Sequence, residues 1–137
     1  EIGMTQSDFK NVTGLDINKM YGGGYASAKD FSLLLEYALR KYPEVFEATR
    51  YETIYLKSLS NLNHKATNTN IGINVIPNII GSKTGYTEIA GGNLTVIFDP
   101  GLARPIAIVV LGSSYDGRFK DVELLTRKTL EAIAMEE

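Results

Sequence analysis

Lys83-Thr84-Gly85 is the stretch of this 137-residue sequence whose residue types are best suited to chemistry. It follows Ile79 and Ile80, which favour a β-strand, and it precedes the strand-like stretch GGNLTVIFD. A lysine and a threonine at the edge of a sheet offer an ammonium and a hydroxyl group to a carboxylate. The glycine lets a ligand backbone approach the strand closely. A solvated lysine at a strand end, followed by a turn, explains the same three residues equally well.

The composition is that of one ordinary globular domain with a real core, since 44% of the residues are hydrophobic and 22% are charged. The net charge is −2, and no cluster of Lys and Arg is interleaved with aromatic residues, so we predict no nucleic-acid partner. The strongly apolar run over 106–111 has the length of a strand and is far too short to span a bilayer.

Metal and cofactor sites are not predicted. The sequence contains no cysteine, so it offers neither a disulfide nor a thiolate ligand. His64 is the only histidine and lies in a polar stretch without a suitably placed acid, so we interpret it as a structural or surface residue. The carboxylates are scattered, which leaves no convincing zinc set.

The clearest helix covers SAKDFSLLLEYALRKYP. Ser27 and Asp30 have the spacing of a capping box, in which each side chain bonds the backbone N–H of the other residue. Apolar residues recur at helical spacing after them, and Pro43 ends the helix.

The rest of the chain predicts an antiparallel sheet covered by helices. We expect strands over about 79–84, 92–98 and 105–112, with short links that favour antiparallel pairing. A further strand is expected over YETIYLKSL, with loops over 60–74 and at the three glycines 22–24. From about Arg118 to the end, an apolar stripe predicts a helix that packs across one face of the sheet. The fold class is therefore α+β.

The stretch SKTGYTEIAGGNL resembles the third motif of the penicillin-binding proteins and serine β-lactamases, whose set is Ser-x-x-Lys, Ser-x-Asn and Lys-Thr-Gly. More narrowly, the chain resembles the D-alanyl-D-alanine carboxypeptidases among the low-molecular-mass penicillin-binding proteins, serine peptidase family S11. Further stretches match that family in order: MTQSDFKNVTGLD, YASAKDFSLLLEYALRKYPEVFE, NLNHKATNTN and IAIVVLGSSYDGRF. Together they cover nearly the whole chain.

The resemblance implies roles for five residues. Lys83 and Thr84 would hold the terminal carboxylate of the substrate and support proton transfers, and the strand from Thr84 through Gly85 to Tyr86 would pair with the substrate backbone. The backbone N–H of Tyr86 would form half of an oxyanion hole. Arg118 matches the family's arginine that binds the same carboxylate, although a solvent-exposed arginine at a helix start is an alternative.

The nucleophile is where this chain departs from the family. Its only Ser-x-x-Lys is Ser7-Asp8-Phe9-Lys10, which falls in a stretch that is not catalytic in the family, and no Ser-x-Asn follows it. We therefore expect residues 1–137 to be the C-terminal part of a carboxypeptidase catalytic domain, inactive alone. The N-terminal half, with the serine and its base, would be its structural partner. An isolated chain with an uncovered sheet edge would form homo-oligomers.

The resulting hypothesis is a serine-type hydrolase that trims peptidoglycan stem peptides ending in D-Ala-D-Ala, outside the cytoplasm, through an acyl-enzyme. β-Lactam antibiotics would inhibit the intact domain. Two alternatives remain: a catalytically inactive relative that binds a peptide or cell-wall ligand, and a β-lactamase-type hydrolase.

Overall fold

The chain folds around a three-stranded antiparallel sheet with a long helix on each face. The computed structural model describes residues 2–101 and 103–136. The helices are α1 (Ala28–Lys41), α2 (Glu44–Glu47) and α3 (Gly117–Glu136), and 3₁₀ turns cover Ala48–Arg50 and Ile73–Val75. The strands are β1 (Asp8–Phe9), β2 (Gly24–Tyr25), β3 (Thr53–Lys57), β4 (Asn63–Thr67), β5 (Ile79–Thr87), β6 (Gly91–Phe98) and β7 (Ile106–Ser113). None of the described helices has the length and apolar character needed to cross a membrane.

The main sheet has the order β5-β6-β7, so β6 is its central strand. The three predicted strands are confirmed, although β5 continues to Thr87 instead of ending near residue 84. The extension pairs with the start of β6, where Gly85 lies opposite Asn93 and Thr87 lies opposite Gly91. Backbone pairing therefore carries the strand through the glycine.

Side chains of β6 alternate between two cores. Leu94, Val96 and Phe98 are almost fully buried in a cluster that also contains Val122 of α3. Ile97 points to the opposite face, where it joins a second cluster with residues of α1 and α2. The predicted packing of the C-terminal helix on one face is confirmed, and the α+β class follows from these layers.

Two predicted loops contain strands. The stretch 60–74 was expected to be loop, but Asn63–Thr67 forms β4 and pairs with β3. Every residue of β4 is exposed, so its sequence shows no apolar alternation, and backbone pairing is what defines it. The glycine run was also expected to be loop, yet Gly24 begins β2 and pairs with β1.

The start of α1 follows one half of the predicted capping box. Ser27 Oγ accepts a hydrogen bond from the Asp30 N–H at 3.1 Å. The other half of the prediction is wrong, because the Asp30 carboxylate accepts from the Gln6 N–H at 2.6 Å and from Ser7 Oγ at 2.8 Å. Asp30 thus attaches the N-terminal segment to α1 instead of closing a box within the helix.

Candidate active site

Strand β5 lies at an edge of the main sheet and carries the Lys-Thr-Gly stretch. The register between β5 and β6 shifts between Ile79 and Gly81, which indicates a β-bulge. The irregularity lies at Gly81, whereas Gly85 pairs regularly with Asn93.

A groove of about 820 Å³ runs along β5. It contains all five residues that the sequence singled out, together with aromatic, aliphatic and small polar side chains. Its lining consists of Phe9, Asn11, Val12, Thr13, Gly14, Leu15, Phe31, Thr69, Ile71, Lys83, Thr84, Gly85, Tyr86, Thr87, Tyr115 and Arg118. Two of these side chains are cationic and none is a carboxylate, so the groove favours an anionic ligand.

Lys83 and Thr84 both line this groove, although they are consecutive on a strand. Lys83 is exposed, and its ammonium donates a hydrogen bond to the Thr84 carbonyl oxygen. Thr84 is half-buried, and its hydroxyl lies 2.5 Å from the hydroxyl of Thr69. A lysine cation and a threonine hydroxyl therefore line the same groove.

Arg118 is buried at the start of α3, with 4% of its surface exposed, so the alternative of a solvated arginine is wrong. Its Nη1 donates to the Gly85 carbonyl oxygen at 2.7 Å. Its guanidinium carbon lies 4.6 Å from the ring centroid of Tyr115 and 4.7 Å from that of Phe119. Among the described residues no carboxylate pairs with it, and its Nε has no hydrogen-bond partner. This buried cation consequently has unused capacity for an anion.

The two tyrosines of the groove stand against each other at one end. The Tyr86 and Tyr115 rings meet edge to face, with centroids 5.0 Å apart. Both side chains are about half exposed, so each offers one ring surface to the groove. Tyr115 also covers the Arg118 guanidinium, which links this aromatic pair to the cation.

The Ser7 hydroxyl makes a structural contact with Asp30. It donates to the Asp30 carboxylate, and Lys10, the lysine of the same Ser-x-x-Lys pattern, pairs with Asp8. Burial alone would raise the pKa of the Asp30 carboxyl, but hydrogen bonds from the Gln6 N–H, the Ser7 hydroxyl and the Thr5 N–H outweigh it and lower that pKa. Asp30 is thus an ionised acceptor that holds the Ser7 hydroxyl.

Thr69 and Tyr115 are among the groove residues that sequence reasoning missed. Thr69 stands in the Asn-rich stretch, where the asparagines indicated turns and drew attention away from the hydroxyl between them. Tyr115 lies two residues after the end of β7 and three residues before Arg118, a spacing that places both beside the start of α3. That spacing was the available signal.

Comparison with known proteins identifies the family of the chain. The family described as Peptidase_S11, D-alanyl-D-alanine carboxypeptidase, matches residues 1–114. The chain belongs to this family. The carboxypeptidase DacF of Bacillus subtilis (strain 168) is 35% identical over 109 residues, which cover 80% of this chain. DacA of Escherichia coli (strain K12) is 29% identical over 117 residues, or 85% of this chain. The chain spans 27% of the length of each of these relatives.

Solved penicillin-binding proteins share the fold. Penicillin-binding protein D2 from Listeria monocytogenes, solved in ampicillin-bound and cefotaxime-bound forms, is 28% identical with a TM-score of 0.77. The superposition covers 92% of this chain and, in the ampicillin-bound form, 50% of that protein. A D-alanyl-D-alanine carboxypeptidase from Mycobacterium tuberculosis H37Rv, 24% identical over 80% of this chain and 40% of that one, has a TM-score of 0.65 and shows a similar fold.

Proposed function

We propose that this chain is the substrate-binding part of a serine-type D-Ala-D-Ala carboxypeptidase that trims peptidoglycan stem peptides outside the cytoplasm. The observation that carries the proposal is the groove beside β5, whose lining has two cations and no carboxylate. A peptide that ends in D-Ala-D-Ala has a free carboxylate and an extended backbone. Both features suit a cationic groove along an edge strand.

In this proposal each of the five residues predicted from the sequence has a task. Lys83 and Thr84 hold the terminal carboxylate, and Arg118 binds it from the other side through guanidinium N–H groups not used by Gly85. The free edge of β5 pairs with the substrate backbone, which Gly85 permits because it has no side chain. The N–H of Tyr86 stabilises the oxyanion that forms when the scissile carbonyl is attacked.

The nucleophile comes, in our proposal, from residues outside these 137. A serine with its lysine base would attack the bond between the two D-alanines, and water would then hydrolyse the acyl-enzyme. The contacts of Ser7 with Asp30 and of Lys10 with Asp8 support the view that the Ser-x-x-Lys pattern inside this chain is not catalytic. Residues 1–137 would thus be the C-terminal part of the catalytic domain, with the N-terminal half as its partner. β-Lactams would acylate the assembled domain.

Labelling with a fluorescent penicillin tests the proposal. The intact protein that contains this chain should be labelled covalently, whereas the 137-residue chain alone should not be. In the intact protein Lys83→Ala should slow acylation on the order of ten- to a hundredfold, because a charged hydrogen-bonding partner is lost. Lys10→Ala is the matched control and should leave the rate unchanged.

Three results would contradict the proposal. An adduct mapped to Ser7 would make this chain a complete enzyme. Equal acylation rates for wild type and Lys83→Ala would show that the groove takes no part in the reaction. An intact protein that binds stem peptides but forms no adduct would be an inactive binding relative.

A further inference from the structure

A second hydroxyl lies beside that of Thr84 in the groove. Thr69 Oγ1 and Thr84 Oγ1 are 2.5 Å apart, at the short end of the range for hydrogen bonds between hydroxyl groups. Thr69 lies two residues beyond β4 and is 15 positions from Thr84 in sequence. Folding of the Asn-rich segment against β5 is what creates the contact.

The loop that carries Thr69 is held on both sides of it. Asn68 Nδ2 donates to the carbonyl oxygens of Thr49 at 2.9 Å and of Tyr51 at 3.1 Å, and Asn68 Oδ1 accepts from the Asn70 N–H at 2.9 Å. Asn70 is buried and accepts from the Gly72 N–H at 3.1 Å. Thr69 therefore presents its hydroxyl from a fixed backbone although its side chain is exposed.

The same threonine that anchors this loop also anchors β5. Thr49 Oγ1 accepts from the Ser82 N–H at 3.1 Å, and the Thr49 carbonyl oxygen accepts from Ser82 Oγ at 3.3 Å. Asn68 bonds that carbonyl oxygen as well. Hydrogen bonds to Thr49 therefore hold both the loop that carries Thr69 and the strand that carries Thr84. This shared anchor keeps the distance between the two hydroxyl groups constant.

A carboxylate ligand would fix which of the two hydroxyl groups donates the hydrogen bond between them. Each hydroxyl has one hydrogen to donate, and a carboxylate can only accept. When Thr84 donates to a carboxylate, it can only accept from Thr69, so Thr69 must be the donor within the pair. A bond donated to Thr84 also polarises its O–H and strengthens the bond that Thr84 donates.

We propose that Thr69 is a positioning residue, which orients the Thr84 hydroxyl so that its hydrogen points to the carboxylate of the ligand. The inference rests on the proposed function, since it supposes that Thr84 binds the terminal carboxylate. In this inference Thr69 acts on the ligand through the Thr84 hydroxyl. Its effect is therefore specific to ligands with a free carboxylate.

The test uses the intact protein and two β-lactams, benzylpenicillin and its carboxamide, with second-order acylation rates as the readout. Thr69→Val keeps the side-chain shape but removes the hydroxyl, and should slow acylation by benzylpenicillin about five- to tenfold, the loss of one modest hydrogen bond. Acylation by the carboxamide should change less than about twofold, because an amide can itself donate to Thr84. Thr69→Ser restores the hydroxyl and should restore the rate.

The control is Thr53→Val on β3, a half-buried threonine outside the lining of the groove, which should leave both rates unchanged. Equal slowing of both β-lactams by Thr69→Val, or failure of Thr69→Ser to restore the rate, would overturn the inference and leave Thr69 a structural role. A wild-type rate for Thr69→Val, with Lys83→Ala still defective, would refute the inference alone. Absence of labelling in the wild type would refute the proposed function.

Discussion

At the scale of single residues, Arg118 is held in place by contacts that depend on its flat guanidinium group. Its guanidinium group contacts the rings of Tyr115 and Phe119 and donates in its own plane to Gly85. A lysine ammonium has no flat surface to stack on the rings and no fork of donors. The position therefore requires arginine for its shape as well as for its charge.

Replacement of Arg118 should affect carboxylate ligands selectively. In the intact protein we expect Arg118→Ala to weaken reaction with a free-carboxylate peptide by about 1.5–3 kcal/mol more than with its C-terminal amide. Arg118→Lys should recover only part of this difference. Release of D-alanine or D-alaninamide measures both reactions, and equal losses would show that Arg118 does not bind the carboxylate.

Asp30 makes stability depend on pH in the acid range. Its pKa is lower in the folded chain than its ordinary value, so the carboxylate stabilises the fold fully above about pH 4, and this contribution disappears as the pH falls through the folded-state pKa. Asp30→Asn should therefore destabilise the chain at pH 7, and its difference from wild type should shrink below pH 4. Denaturant unfolding at several pH values measures this. Exposed Glu88→Gln is the control and should stay within about 0.5 kcal/mol of wild type at pH 7.

At the scale of elements, two glycines of β5 have opposite surroundings. A Cβ at Gly81 would lie 2.8 Å from Phe46 Cβ and 3.0 Å from Thr49 Oγ1. A Cβ at Gly85 would meet nothing closer than Asn93 Cβ at 3.8 Å. The strand thus packs tightly at its start and remains open where it lines the groove.

This contrast predicts a matched pair of variants. Gly81→Ala should lower the free energy of unfolding by about 1–3 kcal/mol, because the added methyl group overpacks the contact with Phe46. Gly85→Ala should leave it unchanged or raise it by about 0.4–1 kcal/mol through the unfolded state. Urea unfolding measures the free energy of unfolding of both variants. Comparable decreases in the two variants would mean that Gly85 is packed as closely as Gly81.

Elements with an apolar pattern could be predicted from the sequence, and those defined by backbone pairing could not. The β6 and β7 strands and helix α1 bury alternate or periodic side chains, so their residue types indicate them. Strand β4 is exposed throughout and exists because β3 pairs with it. The chemistry of Lys83, Thr84 and Gly85 indicated part of the groove. Tyr86 followed only from the family resemblance. Thr69 was missed because its contact with Thr84 joins residues that lie 15 positions apart in sequence.

At the scale of the whole molecule, the sheet has an uncovered side at β7. Within the described residues this strand pairs only with β6. Beside it lies a cavity of about 410 Å³ with a mixed lining, in which the apolar residues are Leu35, Leu39, Ile97, Pro105 and Ala107 and the polar ones are Ser32, Glu36 and Arg40. Unpaired backbone groups next to apolar side chains favour pairing with another strand. The N-terminal half of the proposed domain is the partner that we expect there.

The isolated chain should therefore self-associate. Sedimentation velocity should show a mass that rises with protein concentration, and Leu111→Lys on β7 should reduce it, because a charge on an edge strand opposes pairing. Leu124→Lys on α3, at a similarly exposed position away from the edge, is the control. A monomer at all concentrations would indicate that β7 does not act as an open edge.

The central position of β6 has a kinetic consequence. Its neighbours on both sides are strands, and its side chains enter the clusters on both faces, so its amides cannot contact water unless a neighbouring strand and a helix separate together. Opening of that extent approaches global unfolding. We expect the amide hydrogens of Leu94 to Phe98 to exchange with deuterium last, at a rate set by the stability of the whole chain, while those of the exposed β3–β4 hairpin exchange early.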